Sequence, residues 1–192
     1  PNMLNAALFL GAFLLLEQKK TTKFQLALLG FILGIGPWIH VKMLLSFATI
    51  GIIAVIQIML TKKAWKNKIT DFLVLSLPAL IFVGLFEWKL YQWYGVILPS
   101  QTFAGDIMFF VSAADSLPAI LFDATKGIIT NNPAFLLIFL GLPIWLRKAP
   151  RQVLKLSLII GPSFYLQLTF LDWWGGWSPS GRYWIDILPL LM

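Results

Sequence analysis

Residues 61–68 read Thr61-Lys62-Lys63-Ala64-Trp65-Lys66-Asn67-Lys68, and the chain on either side is nearly pure hydrocarbon, over 43–60 before them and 72–88 after. Two other places are built the same way. Lys19, Lys20 and Lys23 separate the apolar segments 3–16 and 24–39, and Arg147, Lys148, Arg151 and Lys155 separate 133–146 from 156–171. The three clusters hold most of the 15 Lys and Arg residues. Loops on the cytoplasmic side of a membrane carry an excess of Lys and Arg. The alternation therefore predicts a chain that crosses a membrane repeatedly, with loops 17–23, 61–68 and 147–155 in the cytoplasm.

Composition agrees. Hydrophobic residues make up 59% of the chain and charged residues 12%, against about 25% charged in a soluble domain. Mean hydropathy is +0.83. A net charge of +7 would point to nucleic acid in a soluble protein. Here the excess lies in topology signals rather than on one face, so no nucleic-acid partner is expected. There is no cysteine, which excludes disulfides and thiolate metal sites. The one histidine, His40, makes no multi-His site, and no ligand spacing supports a mixed one. No cofactor is expected, no residue is assigned to a metal, and the sequence leaves a divalent-metal requirement open.

Backbone polar groups in lipid must be satisfied within the segment, so the apolar stretches read as helices. The expected fold is an all-α, polytopic transmembrane helix bundle over 1–192, a single transmembrane domain. It has about six full spans and a truncated seventh that opens at Trp184, a span needing about 20 apolar residues. Segments 24–39 and 43–60 form a tight helical hairpin closed by a break at Gly36-Pro37. The turn 37–42, the long stretch 89–132 and the loop 172–183 then face outward. Glu87, Asp106, Asp115, Asp123, Asp172 and Asp186 fall on or near that side.

Within 89–132 the segment 107–122 is apolar, but Asp115 and Pro118 stand in its middle. A carboxylate at mid-bilayer costs roughly 2.5–3.5 kcal/mol, and a crossing here would move the third basic cluster outside. Helices lying in the outer interface are expected instead. The chain starts at Pro1 with neither a basic leader nor a small-residue cleavage site, and the last apolar segment stops short. The expectation is a piece of a longer protein.

Three outward motifs carry chemistry-bearing residues. The loop Asp172-Trp173-Trp174-Gly175-Gly176-Trp177-Ser178-Pro179-Ser180-Gly181-Arg182-Tyr183 combines stacking faces, glycines that let a ligand approach the backbone, and a guanidinium suited to phosphate. An aromatic belt at headgroup level accounts for its Trp residues but not for Gly175-Gly176 or the Ser178–Gly181 run. His40 and Lys42 stand at a membrane boundary, where they can meet a lipid phosphate or simply reach water. Asp123 and Lys126, three apart, share a helix face, and Asn132-Pro133 starts the next span. Both a binding role and a weak surface ion pair fit Asp123 and Lys126. Asp106, Asp115, Asp123 and Asp172 are candidate bases, and their spacing selects none.

In this order the motifs resemble the later part of bacterial membrane proteins with the C-type glycosyltransferase fold. That group includes protein O-mannosyltransferases and the aminoarabinose transferase of lipid A, and the likeness is greatest to its poorly characterised members. The matching residues are Pro37-Trp38-Ile39-His40, then Phe122-Asp123 with Gly127-Ile128-Ile129 and Pro133, then Trp173-Trp174-Gly175-Gly176-Trp177-Ser178 with Arg182-Tyr183. Gly181 stands where that group usually has Pro. The resemblance implies a bacterial plasma-membrane transferase that moves a sugar from a polyprenyl-phosphate donor to an acceptor at the outer face. It implies that Arg182, with Lys42 and His40, steadies the donor phosphate as charge builds on it. Trp174, Gly175, Gly176, Trp177, Asp123 and Lys126 complete the implied substrate-binding set, with membrane lipids as further partners. The group's catalytic Asp lies in the first outer loop, which on this alignment precedes Pro1. Two alternatives stay open: a lipid or sugar transporter of flippase type, marked by intramembrane charge and paired broken helices, and an inactive scaffold of the same fold.

Overall fold

Thr22 starts the helix around which the first half of the molecule is assembled. Its backbone N–H donates to Gln25 Oε1 at 2.8 Å and its hydroxyl accepts the Gln25 N–H at 3.2 Å, a reciprocal cap that satisfies free amides at a helix start. The computed structural model describes residues 2–18, 21–39, 44–95, 113–124, 127–131, 133 and 136–169, and these are all-helical, with no strand among the described residues. The chain forms two compact units, Pro1–Phe103 and Ala104–Met192.

The first unit contains α1 (Asn2–Leu16), α2 (Lys23–Ile39), α3 (Leu44–Leu60) and α4 (Trp65–Tyr94). The bounds of α2 and α3 match the expected segments 24–39 and 43–60. α2 is central: Leu26, Leu29, Gly30, Ile32, Leu33, Gly34, Gly36 and Pro37 are all buried. Its most extensive partner is α4, not its sequence neighbour α3. Glycine makes that possible. A Cβ on Gly30 would fall on the backbone carbonyl of Leu75, and one on Gly34 would sit 2.7 Å from Phe82 Cβ and 2.9 Å from the Ala79 carbonyl oxygen. The two backbones thus meet along a small-residue seam spaced four apart, a device of membrane helix pairs.

Aromatic contacts extend the seam. Phe31 meets Phe82 edge-on at 5.0 Å, Trp38 meets Phe86 at 5.6 Å, and Trp38 Nε1 donates to the Phe82 carbonyl at 2.9 Å. Those Trp38 contacts explain a departure from expectation. α2 does not break at Gly36-Pro37 but runs through to Ile39, because the ties to α4 hold its last turn while Pro37 lacks an N–H to donate. Bare Gly36 gives room to the Phe47 ring of α3. Phe47 in turn meets Phe9 of α1 edge-on at 5.5 Å. Along α1 the buried positions Asn5, Phe9, Ala12 and Leu16 recur at helical spacing and form its inner stripe.

α4 has 30 residues, about 45 Å of helix, and outruns the expected 72–88 at both ends. At its start, Lys63 Nζ lies 2.6 Å from Asp71 Oδ2, and Lys68 Nζ donates to the Met59 carbonyl of α3 at 2.6 Å. These ties draw the basic residues into helical register. The basic loop shrinks to 61–64. At its end Gly95 takes a left-handed φ of 70° and its N–H closes onto the Tyr91 carbonyl at 2.9 Å, the usual glycine stop. Among the described residues α4 is the one helix long and apolar enough to cross a membrane; α1, α2 and α3 have 15, 17 and 17 residues.

The second unit contains α5 (Ala113–Phe122), the single turn α6 (Ile128–Asn131), α7 (Leu136–Lys148) and α8 (Pro150–Thr169). Ser116 and Ile120 of α5, Ile129 of α6, and Val153, Leu156, Ile159 and Leu168 of α8 are buried. α5 covers residues 113–122 of the segment expected to lie in the outer interface; residues 107–112 lie outside the described residues. At 10 residues it is about 15 Å long, half of a bilayer core. The third basic cluster is not a loop. Arg147 and Lys148 close α7, Arg151 and Lys155 belong to α8, and only Ala149 intervenes. The Ala149 N–H reaches back to the Trp145 carbonyl at 2.8 Å, and Pro150 takes the first helical position, where no N–H is needed.

Candidate functional site

The surface of α4 is the largest chemical feature of the first unit. Leu73, Leu77, Leu80, Ile81 and Leu85 are all exposed, and of its most apolar 18-residue window only 11% is buried. A soluble protein rarely leaves so continuous an apolar face bare. The ends of the helix differ from its middle. Trp65 is exposed at the start, and Trp88, Tyr91, Trp93 and Tyr94 are exposed near the end. Trp65 and Trp88 are separated by about 35 Å of helix, slightly more than a hydrocarbon core of about 30 Å. Amphipathic rings at both ends of an apolar stretch are the pattern of a membrane–water boundary. Near the second of these ends Lys89 Nζ lies 4.9 Å from the Trp88 ring centroid and 5.9 Å from that of Trp93, and it donates to Gln92 Oε1 at 3.0 Å.

The same half of α4 carries Glu87, whose Oε2 is buried without a hydrogen-bond partner among the described residues. The segment expected at 72–88 put this carboxylate at a boundary. In the longer helix it stands directly before Trp88, at the start of the aromatic end. In α1, Asn5 is fully buried, and neither its Oδ1 nor its Nδ2 is bonded among the described residues. Leaving such a group unpaired costs about 1–3 kcal/mol. Neither residue stood out in the sequence. Glu87 was visible only as an acid at the edge of an apolar run, and Asn5 as one polar residue in another.

Of the residues singled out by sequence, His40, Lys42, Lys126, Trp174, Gly175, Gly176, Trp177 and Arg182 lie outside the described residues, as do Asp106 and Asp172. The described members of the first motif, Pro37, Trp38 and Ile39, belong to the last turn of α2, where the Trp38 indole N–H is committed to the Phe82 carbonyl. Of the second motif, Phe122, Asp123 and Gly127 come together in one tight turn between α5 and α6. The Asp123 N–H donates to the Ala119 carbonyl, and its own carbonyl accepts the Gly127 N–H, both at 2.9 Å. Gly127 is buried, and a Cβ there would stand 2.5 Å from Asp123 backbone atoms. The Asp-to-Gly spacing thus has a local cause: the glycine lets the chain fold back onto the Asp123 backbone. Asp123 itself is half-buried. Asp115 is placed on α5.

Set against protein-family models, curated proteins and solved structures, the chain matches none of them.

Proposed function

We propose that this chain is the membrane-embedded part of a multi-spanning transferase of the plasma membrane, which moves a sugar from a polyprenyl-phosphate donor to an acceptor at the extracytoplasmic face. One observation carries the membrane part. The long helix α4 leaves its apolar middle bare between aromatic ends, and lipid is the solvent that tolerates such a surface. α7 supports the same reading, since none of its residues is buried although it is mostly Leu, Ile and Phe. On this reading the other apolar helices also cross, and the basic clusters face the cytoplasm.

The transferase part rests on the order of the three outward motifs and their likeness to C-type-fold glycosyltransferases. The donor's isoprenoid chain enters between helices, and Arg182 holds its phosphate. As the sugar–phosphate bond breaks, negative charge grows on the phosphate oxygens, and a planar guanidinium accepts it at two points. In membrane vesicles containing the full-length protein and a radiolabelled polyprenyl-phosphate sugar, Arg182→Lys keeps the charge but loses the fork. It is expected to cut transfer at least tenfold, about 1.4 kcal/mol of transition-state stabilisation, with unchanged protein level. Equal transfer by Arg182→Ala and wild type refutes the phosphate role. Cysteine labelling of intact cells tests the orientation: Ser178→Cys reacts from outside, Lys66→Cys and Arg151→Cys do not. Labelling at position 151 from outside overturns the map.

Glu87 favours one other reading. An unpartnered carboxylate oxygen inside a spanning helix is a mark of proton- or ion-coupled transport. Transport of lipid or sugar by reconstituted protein, lost in Glu87→Gln and accompanied by no sugar transfer, supports that reading over the first.

A further inference from the structure

The joint at Ala149 gathers positive charge that the described protein leaves unused. Arg147, Lys148 and Arg151 are all exposed, and none has a hydrogen-bond or ion-pair partner among the described residues. The second basic cluster is different, because Lys63 is paired with Asp71 and Lys68 is bonded to Met59. No Asp or Glu occurs between Asp123 and Asp172, so the chain around the joint offers no counter-ion of its own.

Helix stability explains only part of this cluster. Cations at the end of α7 suit the negative end of the helix dipole, but Arg151 stands in the first turn of α8, where positive charge is disfavoured. The helix leading into the joint is apolar and bare, with Leu137, Leu140 and Ile144 exposed. A soluble polyanion would neutralise the cations and leave that hydrocarbon in water. An amphiphile with a negative head meets both demands.

We propose that the α7–α8 joint is a binding surface for anionic phospholipid headgroups. Arg147 and Arg151 offer planar forks to phosphodiester oxygens, Lys148 adds a point charge, and the acyl chains lie along α7. The proposal rests on the membrane-embedded reading of the chain.

The test uses purified full-length protein in detergent with equal amounts of phosphatidylglycerol and phosphatidylcholine, and native mass spectrometry counts the lipids retained. Wild type is expected to retain phosphatidylglycerol preferentially. The variant Arg147→Gln/Lys148→Gln/Arg151→Gln is expected to lose about a hundredfold of that preference, each residue contributing about fivefold near an anionic surface. Raising KCl toward about 1 M, where the screening length falls to about 3 Å, is expected to release phosphatidylglycerol from wild type and spare phosphatidylcholine. Inorganic phosphate at the same ionic strength is expected to add nothing to that release. An unchanged preference in the triple variant overturns the proposal, as does a wild type indifferent to salt. Where the triple variant does not fold, Arg147→Lys/Arg151→Lys serves, with a severalfold loss expected and no change overturning it. Extraction of wild type from membranes by alkaline carbonate would instead sink the membrane reading itself, which the lipid count alone does not address.

Discussion

Helices α2 and α7 are both short and apolar, and they end up in opposite environments. α2 buries eight residues among its own neighbours, whereas α7 buries none. Hydrophobicity does not distinguish them. The difference lies in the small residues. Gly30, Gly34 and Gly36 strip one side of α2 down to backbone, so α4 and the Phe47 ring come into direct contact. α7 has one glycine, Gly141, and a Cβ there would meet open space. An apolar run therefore says that a helix avoids water, and the placement of glycine within it says whether a neighbouring helix can pack closely enough to replace the water.

The sharpest way to break this contrast is to fill the seam. Gly30→Leu/Gly34→Leu drives side chains into the α4 backbone, which has no rotamer with which to yield. Overpacking of a core costs typically about 1–3 kcal/mol per site and sometimes more. A loss of at least about 3 kcal/mol is therefore expected for the pair, read from unfolding of the detergent-solubilised protein as sodium dodecyl sulfate is titrated in. A loss under about 1 kcal/mol would mean that α2 and α4 do not meet here.

A smaller effect tests how the loop between α3 and α4 is fixed to α4. Asp71 is nearly buried, but Lys63 is close to half exposed, so solvent screens their pair. A double-mutant cycle of Lys63→Gln and Asp71→Asn is expected to give a coupling of about 1 kcal/mol. A coupling near zero would reduce the contact to a surface ion pair. The smallest effect sharpens the contrast from the other side. Leu140 of α7 is 69% exposed, and Leu140→Ala is expected to change stability by less than about 0.5 kcal/mol in the same assay. A larger loss would show that protein, not lipid, covers α7.

Much of the helical class was legible in the sequence, and the reason is specific. The runs that became α2 and α3 are mostly apolar and free of charge between charged or polar clusters, so their limits stand out. α4 was harder. Trp65, Lys66 and Lys68 at one end and Lys89 and Gln92 at the other look like loop composition, and the ties of Lys68 to Met59 and of Lys89 to the Trp88 ring show how two of them are held within the helix. The glycines were visible, yet spacing alone does not name a partner, and α2 chose a helix far along the chain. The site was legible in part. Asp123 and Gly127 do meet, for a backbone reason the motif did not reveal, whereas the Arg182 loop and the His40–Lys42 turn lie outside the described residues.

That remote choice of partner has a consequence for synthesis. The bond from Trp38 to the Phe82 carbonyl joins residues 44 apart. Ribosomes add about 5–20 residues per second, so α2 exists for roughly 2–9 seconds before its mate has been made. Throughout that interval its glycine-lined side is open, and any other helix nearby is free to occupy it. α3 arrives first and covers only the end near Gly36. The newborn chain therefore passes through a stage in which its best-matched surface is also its most promiscuous one, and anything that delays translation between 39 and 82 lengthens that exposure.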